Sequence, residues 1–223
     1  MRASFSLEDQ AYNAIKDAIK TLKVRPGEKI SYTEWADRLK ISRTPVRDAL
    51  KRLEQEGLVI RETGRQWHVY TLTLQDVYKL HELREGVDTY IARLAALNLT
   101  AAQAKRIKEL LQNMDAAQAR DDRPAFRVAD TEFHRIMEAA SQNPYMVRVS
   151  LNISDLLARL RPRFSVEGRI KNTYRENVKI AQALFDHDPA AAAQAQLEHI
   201  HASRDNLVTL IEQWIIPLVG EEF

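Results

Sequence analysis

The chain has 223 residues, of which 45% are hydrophobic and 29% charged, and it contains no cysteine. This length allows one large domain or two smaller ones, and the composition is typical of a soluble globular protein. Without cysteine, disulfides and thiolate metal sites are excluded, so any metal would be held by His, Asp, Glu or Asn. No run of about 18 apolar residues and no secretion signal are found, so we expect a cytoplasmic protein without a membrane partner.

Charge is unevenly distributed along the chain, although the net charge is only +2. Residues 1–72 carry 14 Lys and Arg against 10 Asp and Glu, whereas the rest carries 19 against 21. A basic front and a mildly acidic back suit a nucleic-acid-binding domain joined to a second domain. Many neutral proteins share this charge imbalance, so a nucleic-acid-binding role has to be inferred from the sequence motifs.

The first 73 residues contain three short helical patterns. Residues 8–23 have the apolar spacing of an amphipathic helix, and a second, shorter helix follows with Thr33 as its predicted N-cap. A third helix is predicted to begin with Thr44 at the cap and Pro45 at the first helical position, and to end at Gly57.

A β-hairpin pattern follows the third helix, with strands at residues 58–60 and 67–70. Helix, helix, tight turn, helix and hairpin form the plan of a winged helix-turn-helix, whose third helix enters the major groove of DNA. Trp35 and Trp67 fit the core of such a small domain better than a base-stacking role.

The outward face of the third helix carries the residue types that contact DNA. Arg can bind guanine through two hydrogen bonds, and Ser or Thr can bind a phosphate or a base edge. The alternative is an ordinary helix surface whose charged side chains are merely solvated. The predicted DNA-binding residues are Ser42, Arg43, Thr44, Arg47 and Lys51, with Arg65 at the tip of the hairpin.

From residue 74 onward, strand patterns disappear and long amphipathic runs predict an antiparallel bundle of about six helices. We therefore expect a mainly α protein, with a winged helix-turn-helix at 1–73 and an all-α domain for effector binding and dimerisation at 74–223. The predicted helices span 74–97, 101–120, 123–141, 144–161, 170–187 and 189–214.

Asp130 and His134 are four residues apart in a helical run, so their side chains project from one face. With His199 from the last helix they could form a site for a divalent metal inside the bundle. The alternative is a hydrogen-bonded pair without metal, which is the more common meaning of this spacing.

The N-terminal pattern closely resembles the GntR family signature. The likeness runs through residues 26–30, 36–39, 41–50 and 53–59. It implies DNA contacts by Arg43, Thr44 and Arg47. Two features depart from the family: Thr33 stands where some members carry a DNA-contacting arginine, and the usual wing motif is altered around residues 64–69.

Residues 74–210 resemble the FCD ligand-binding domain of the FadR-type branch of this family. The resemblance implies a metal site, such as a zinc site, formed by Asp130, His134, His199 and a further histidine, whose place is taken here by Asn177. An amide oxygen is a poor zinc ligand. Three alternatives follow: weak metal binding, a different metal, or a direct hydrogen bond from Asn177 to the effector.

The resemblance also aligns Arg84 with an arginine that meets the carboxylate of an organic-acid effector. A guanidinium inside a bundle favours an anion that accepts two hydrogen bonds. The alternative is a salt bridge from Arg84 to Glu82, Glu85, Asp88 or another helix.

Together these patterns predict a homodimeric transcriptional regulator, most simply a repressor, that binds palindromic operator DNA and responds to a small organic acid. No catalytic residue is predicted. Two alternatives remain at this point: a metal-dependent enzyme built on the bundle, and an architectural protein that binds DNA without sequence preference.

Overall fold

The computed structural model describes residues 6–61, 66–158 and 169–215. These residues group into two compact units. The first contains 6–61, 66–73 and the segment 154–158, and the second contains 74–153 and 169–215. Within the described ranges, no helix is both long and apolar enough to cross a membrane.

The first unit has the predicted three helices and hairpin, and adds one short strand. The strands form an antiparallel sheet in the order β1-β3-β2. Strand β1 was not predicted, because a pair of residues is too short to show an alternating pattern. The elements are α1 Leu7–Lys20, β1 Lys29–Ile30, α2 Tyr32–Leu39, α3 Arg43–Gln55, β2 Val59–Arg61 and β3 Trp67–Val69.

Two predicted helix starts were wrong. The N-cap of α2 is Ser31 rather than Thr33, because the Ser31 hydroxyl accepts a hydrogen bond from the backbone N–H of Glu34. Helix α3 begins at Arg43, so Ser42 rather than Thr44 occupies the cap position. Pro45 is therefore the third helical residue, where the N–H that it lacks would have had no partner within the helix.

Helix α3 is held by a stripe of fully buried side chains. Val46, Ala49, Leu50 and Leu53 are each 0% exposed and pack in the same core as Ile15. The helix ends at Gln55, and Gly57, just beyond the C-cap Glu56, has a φ of +71°, a conformation that glycine adopts more easily than other residues. This stripe turns the opposite face of α3 toward solvent.

Trp35 and Trp67 also lie in the core of the first unit, as predicted. The end of helix α7 belongs to the same unit. There Asp155 forms ion pairs with Lys16, at 2.6 Å, and with Lys20.

The second unit is an all-helical bundle whose helices agree closely with the predicted runs. Helix α4 packs along α9, α5 packs against α6, and α8 packs against α9. The helices from residue 74 onward are α4 Leu74–Asn98, α5 Ala101–Ala119, α6 Arg123–Ala140, α7 Pro144–Ala158, α8 Arg169–Phe185 and α9 Pro189–Leu210, which continues as a π-helical turn, Ile211–Ile215. Of α7, residues 144–153 belong to the second unit.

Side-chain caps explain why three of these helices begin where they do. Thr100 forms a capping box with Gln103 at the start of α5. Asp122 accepts a backbone hydrogen bond at the start of α6, and Asp188 accepts two at the start of α9. These oxygens satisfy N–H groups that have no partner within the helix. The core between the helices is apolar and includes Phe133 and Ile180, both 0% exposed.

We expect Leu50→Ala to lower the free energy of unfolding of the first unit by about 2–5 kcal/mol, because it removes buried contacts and leaves a cavity. Urea unfolding followed by tryptophan fluorescence measures this, since Trp35 and Trp67 are buried in that unit. The matched control is Leu7→Ala, at a side chain that is 53% exposed. Equal effects of the two changes would contradict the assigned packing of α3.

Candidate DNA-binding surface and buried polar site

The start of helix α3 presents its polar side chains to solvent. Ser42, Arg43, Thr44 and Arg47 are all exposed. Lys51 is also exposed, and its ammonium pairs with Asp48 at 2.9 Å. The first turn of α3 therefore offers guanidinium and hydroxyl groups on one accessible face. Arg65, predicted for the hairpin tip, lies outside the described residues.

The exposed Arg47 side chain contacts an aromatic ring of helix α2. Its guanidinium carbon lies 5.4 Å from the centre of the Tyr32 ring. Tyr32 is the first residue of α2, and it packs partly buried against the core of the first unit. A guanidinium above an aromatic ring is attracted to the ring and can still donate hydrogen bonds in its own plane. Tyr32 thus holds Arg47 while leaving its donors available.

Sequence analysis missed Tyr32, because the contact joins two helices and has no characteristic spacing. A second stacked arginine lies nearby. The Arg38 guanidinium carbon is 5.0 Å from the centre of the Trp35 ring, but Arg38 lies near the end of α2 rather than on α3.

The interior of the bundle contains a cluster of polar residues contributed by four helices. Helix α6 supplies Asp130 and His134 on one face. The buried polar residues of the other three helices include Arg84 and Asp88 of α4, Thr173 and Asn177 of α8, and Gln196 and His199 of α9.

Asp130, His134, Asn177 and His199 lie next to one another. The Asn177 amide nitrogen donates a hydrogen bond to Asp130 Oδ1 at 2.7 Å. His134 Nε2 lies 3.7 Å from the same oxygen. The ring centres of His134 and His199 are 5.3 Å apart. Tertiary structure therefore brings together the four positions that the family resemblance singled out.

Burial lowers the pKa of His134 to about 4. The negative charge of Asp130 opposes this shift, whereas the charges of His199 and Arg84 reinforce it. His134 is therefore a neutral imidazole at neutral pH, the form that accepts a hydrogen bond or binds a metal.

Glu176 orients His199, and sequence analysis missed this role too. Its carboxylate lies 2.8 Å from His199 Nδ1 and accepts two hydrogen bonds from Arg169, at 2.6 and 3.1 Å. Burial opposes ionisation of Glu176, but these hydrogen bonds keep its pKa below the usual value. The contact engages Nδ1 and leaves Nε2 as the available nitrogen of His199.

Asn177 changes what this group can do with a metal. Within the described residues, no three or more His, Asp or Glu side chains are grouped closely enough to hold an ion as they stand. The Asn177 amide nitrogen, which cannot act as a ligand while it carries two hydrogens, is directed at Asp130. Asn177 Oδ1 is buried and has no hydrogen-bond partner in the part of the chain that the structure describes. In this arrangement Asp130 is hydrogen-bonded to Asn177, so a metal ion could use Asp130 as a ligand only after that bond is broken.

Arg84 forms the salt bridge that sequence analysis raised as its alternative role. Its Nε donates to Asp88 Oδ2 at 2.9 Å, one turn along α4, and both residues are more than nine-tenths buried. The carboxyl group of Glu138, on α6, lies close enough to Asp88 for their charges to interact. Burial raises the pKa of Glu138 to about 7, and the charge of Asp88 adds to the shift while Arg135 opposes it.

Comparison with known families agrees with this architecture. Residues 7–69 match the family model described as bacterial regulatory proteins of the gntR family, and residues 79–202 match the FCD domain. Between them, the two matches cover most of both units.

Relatives align over most of the chain. The Nta operon transcriptional regulator of Aminobacter aminovorans is 27% identical over 84% of this chain and 88% of its own length. The transcriptional regulator LutR of Bacillus subtilis is 28% identical over 87% of this chain and 98% of its own length. The transcriptional repressor RspR of Escherichia coli is 24% identical over 87% and 86%.

Solved structures share the fold. Escherichia coli McbR/YncC has a TM-score of 0.74 at 20% identity, and the match covers 95% of this chain and all of the other. A GntR regulator from Rhodococcus has a TM-score of 0.69 at 22% identity over 92% and 99%. The family and these named relatives are transcriptional regulators and not enzymes. The chain belongs to the GntR family of bacterial regulatory proteins and carries an FCD domain.

Proposed function

We propose that this protein is a sequence-specific repressor that binds operator DNA through the start of α3. A small carboxylate would change its affinity for that DNA. One observation carries the proposal: Arg43, Thr44 and Arg47 are exposed together on the helix that a winged helix-turn-helix inserts into the major groove. In this proposal residues 1–73 bind DNA, and residues 74–223 bind the effector and the second protomer.

The roles within the DNA-binding surface follow from side-chain chemistry. Arg47, held over Tyr32, is suited to reading a guanine through two hydrogen bonds. Arg43 shares this capacity. Ser42, Thr44, Lys51 and Arg65 are suited to phosphates, which position the protein on DNA without reading sequence.

The proposed assembly is a homodimer, because two identical domains match the two halves of a palindromic operator. Its proposed location is the cytoplasm. The relatives named RspR and NanR are repressors, which supports that sign of regulation here. An effector can regulate such a dimer only if it binds the DNA-competent and DNA-incompetent arrangements with different affinity.

The proposed effector site is the buried polar cluster of the bundle. Arg84 supplies a guanidinium for a carboxylate. Asn177 has an unpartnered oxygen that could accept a hydrogen bond from the ligand. An architectural DNA binder would need no such interior, because burying polar groups without partners is costly.

We expect Arg47→Ala to weaken binding to the preferred operator by roughly 1–3 kcal/mol and to relax base preference at one position. The operator is first selected from a random duplex library, and affinities for it and for a scrambled duplex are measured at fixed salt. Arg38→Ala is the matched control, since it removes a stacked arginine that does not lie on α3. Equal affinity of the unmutated protein for both duplexes would support the architectural alternative instead.

We expect Tyr32→Leu to weaken operator binding in the same direction as Arg47→Ala but less, because Arg47 keeps its donors and loses its support. Tyr32→Phe retains the ring and should bind like the unmutated protein. In the background of Arg47→Ala, Tyr32→Leu should have no further effect on affinity. A loss that is additive in the double variant would disprove the coupling.

A divalent metal, such as zinc, is a further part of the proposal. Asp130, His134 and His199 would be its ligands, with Glu176 orienting His199 from behind. Such an ion would be held weakly, because Asn177 must first release Asp130.

We expect Asn177→His to tighten zinc binding roughly tenfold or more, because an imidazole completes a four-ligand set and removes the competing hydrogen bond. Calorimetric titration of the metal-stripped protein and elemental analysis measure this. The control is the double variant that also carries His134→Ala, which should lose the gain. If Asn177→His binds no more zinc than the unmutated chain, the proposed ligand set is wrong.

A further inference from the structure

Arg84 and Asp88 place an unused donor and an unused acceptor side by side. The bond between Arg84 Nε and Asp88 Oδ2 occupies one N–H of the guanidinium and one carboxylate oxygen. Within the described residues, the other guanidinium N–H groups make no side-chain hydrogen bond, and Asp88 Oδ1 is buried without a partner. The pair is therefore only half satisfied.

A buried carboxylate oxygen without a partner is costly. Arg84 already neutralises the charge of Asp88, so what Asp88 Oδ1 lacks is a hydrogen-bond donor. Asn177 Oδ1 and Gln196 Oε1, on α8 and α9, are likewise buried acceptors without partners within the described residues. Beside the unused N–H groups of Arg84, three buried acceptors are thus unfilled among the described residues, and they favour a ligand that brings donors as well as a carboxylate.

The charges around Arg84 and Asp88 also favour a ligand that brings hydrogen-bond donors. Arg84 influences the ionisation of His134, and Asp88 influences that of both His134 and Glu138, so the pair lies within electrostatic reach of α6. Asp88, Asp130 and Glu138 are carboxyl groups; Arg84 already pairs with Asp88, and Arg135 acts on Glu138. A ligand with a carboxylate alone would add an anion beside several acids. A ligand that also carries an ammonium would leave the charge balance unchanged.

We propose that the effector is an α-amino acid, with its carboxylate bound to the guanidinium of Arg84 and its ammonium bound to Asp88 Oδ1. The two ligand groups are attached to one carbon, and the two protein groups are adjacent on one helix turn. This inference rests on the proposed function, in which Arg84 binds a carboxylate, and it names the chemical class of that effector.

The experiment measures the thermal midpoint of the full-length protein with each of the twenty α-amino acids. For each amino acid that raises the midpoint, two analogues are tested, one without the amino group and one without the carboxylate. We expect at least one amino acid to stabilise the protein, and both of its analogues to need at least 100-fold higher concentration. No stabilisation by any amino acid, or equal stabilisation by the analogue without the amino group, would overturn the proposal.

Variants separate the two halves of the site. Asp88→Asn should reduce the preference for the amino acid over the analogue without the amino group at least tenfold, and Arg84→Gln should abolish binding of both. Glu82→Gln, an exposed carboxyl on the same helix, is the control and should bind as the unmutated chain does. If Asp88→Asn does not fold, the comparison of analogues on the unmutated protein decides alone.

The outcomes also separate this inference from the proposed function. If the analogue without the amino group binds as tightly as the amino acid and Arg84→Gln abolishes it, the carboxylate effector stands and the amino acid does not. If no carboxylate binds at all, both the effector site and its ligand class are wrong, while operator binding by α3 is tested independently.

Discussion

The apolar stripe of α3 determines what the first unit can offer to DNA. Four side chains of this helix are completely buried, so its rotation about its own axis is fixed by the core. The opposite face of the helix is then turned toward solvent, and Arg43 and Arg47 are exposed there. The polar surface is therefore a consequence of packing. If α3 could rotate about its own axis, it would not present the same side chains to the major groove of DNA.

The second unit differs from the first, because its distinctive polar residues are buried rather than exposed. Such residues are tolerated where they are hydrogen-bonded or paired, as Arg84 is with Asp88 and His199 is with Glu176. Asp88 and Asn177 each keep one oxygen without a partner among the residues that the structure describes. These unsatisfied atoms distinguish the interior of this bundle from an ordinary core and point to a ligand.

Asn177 shows how one residue can alter such an interior. The family resemblance places a histidine there, which would present a lone pair to a metal. The amide instead donates to Asp130 and ties together two of the groups that would surround an ion. The same four positions converge, but the chemistry among them becomes that of a hydrogen-bonded polar site.

The sequence by itself determined the helices, the winged helix-turn-helix and the exposed residues of α3, and the family resemblance singled out Asp130, His134, Asn177 and His199. These follow from periodicity, capping residues and the family signatures, which are local properties of the chain. Even there, the cap of α2 was predicted wrongly at Thr33, although serine ranks above threonine as an N-cap and Ser31 stands three residues before Glu34. Tertiary structure alone decided that Tyr32 supports Arg47 and that Glu176 orients His199. It also decided that Arg84 pairs with Asp88 rather than with Glu82 or Glu85. Each of these depends on side-chain geometry across or along packed helices, which spacing in the sequence does not specify.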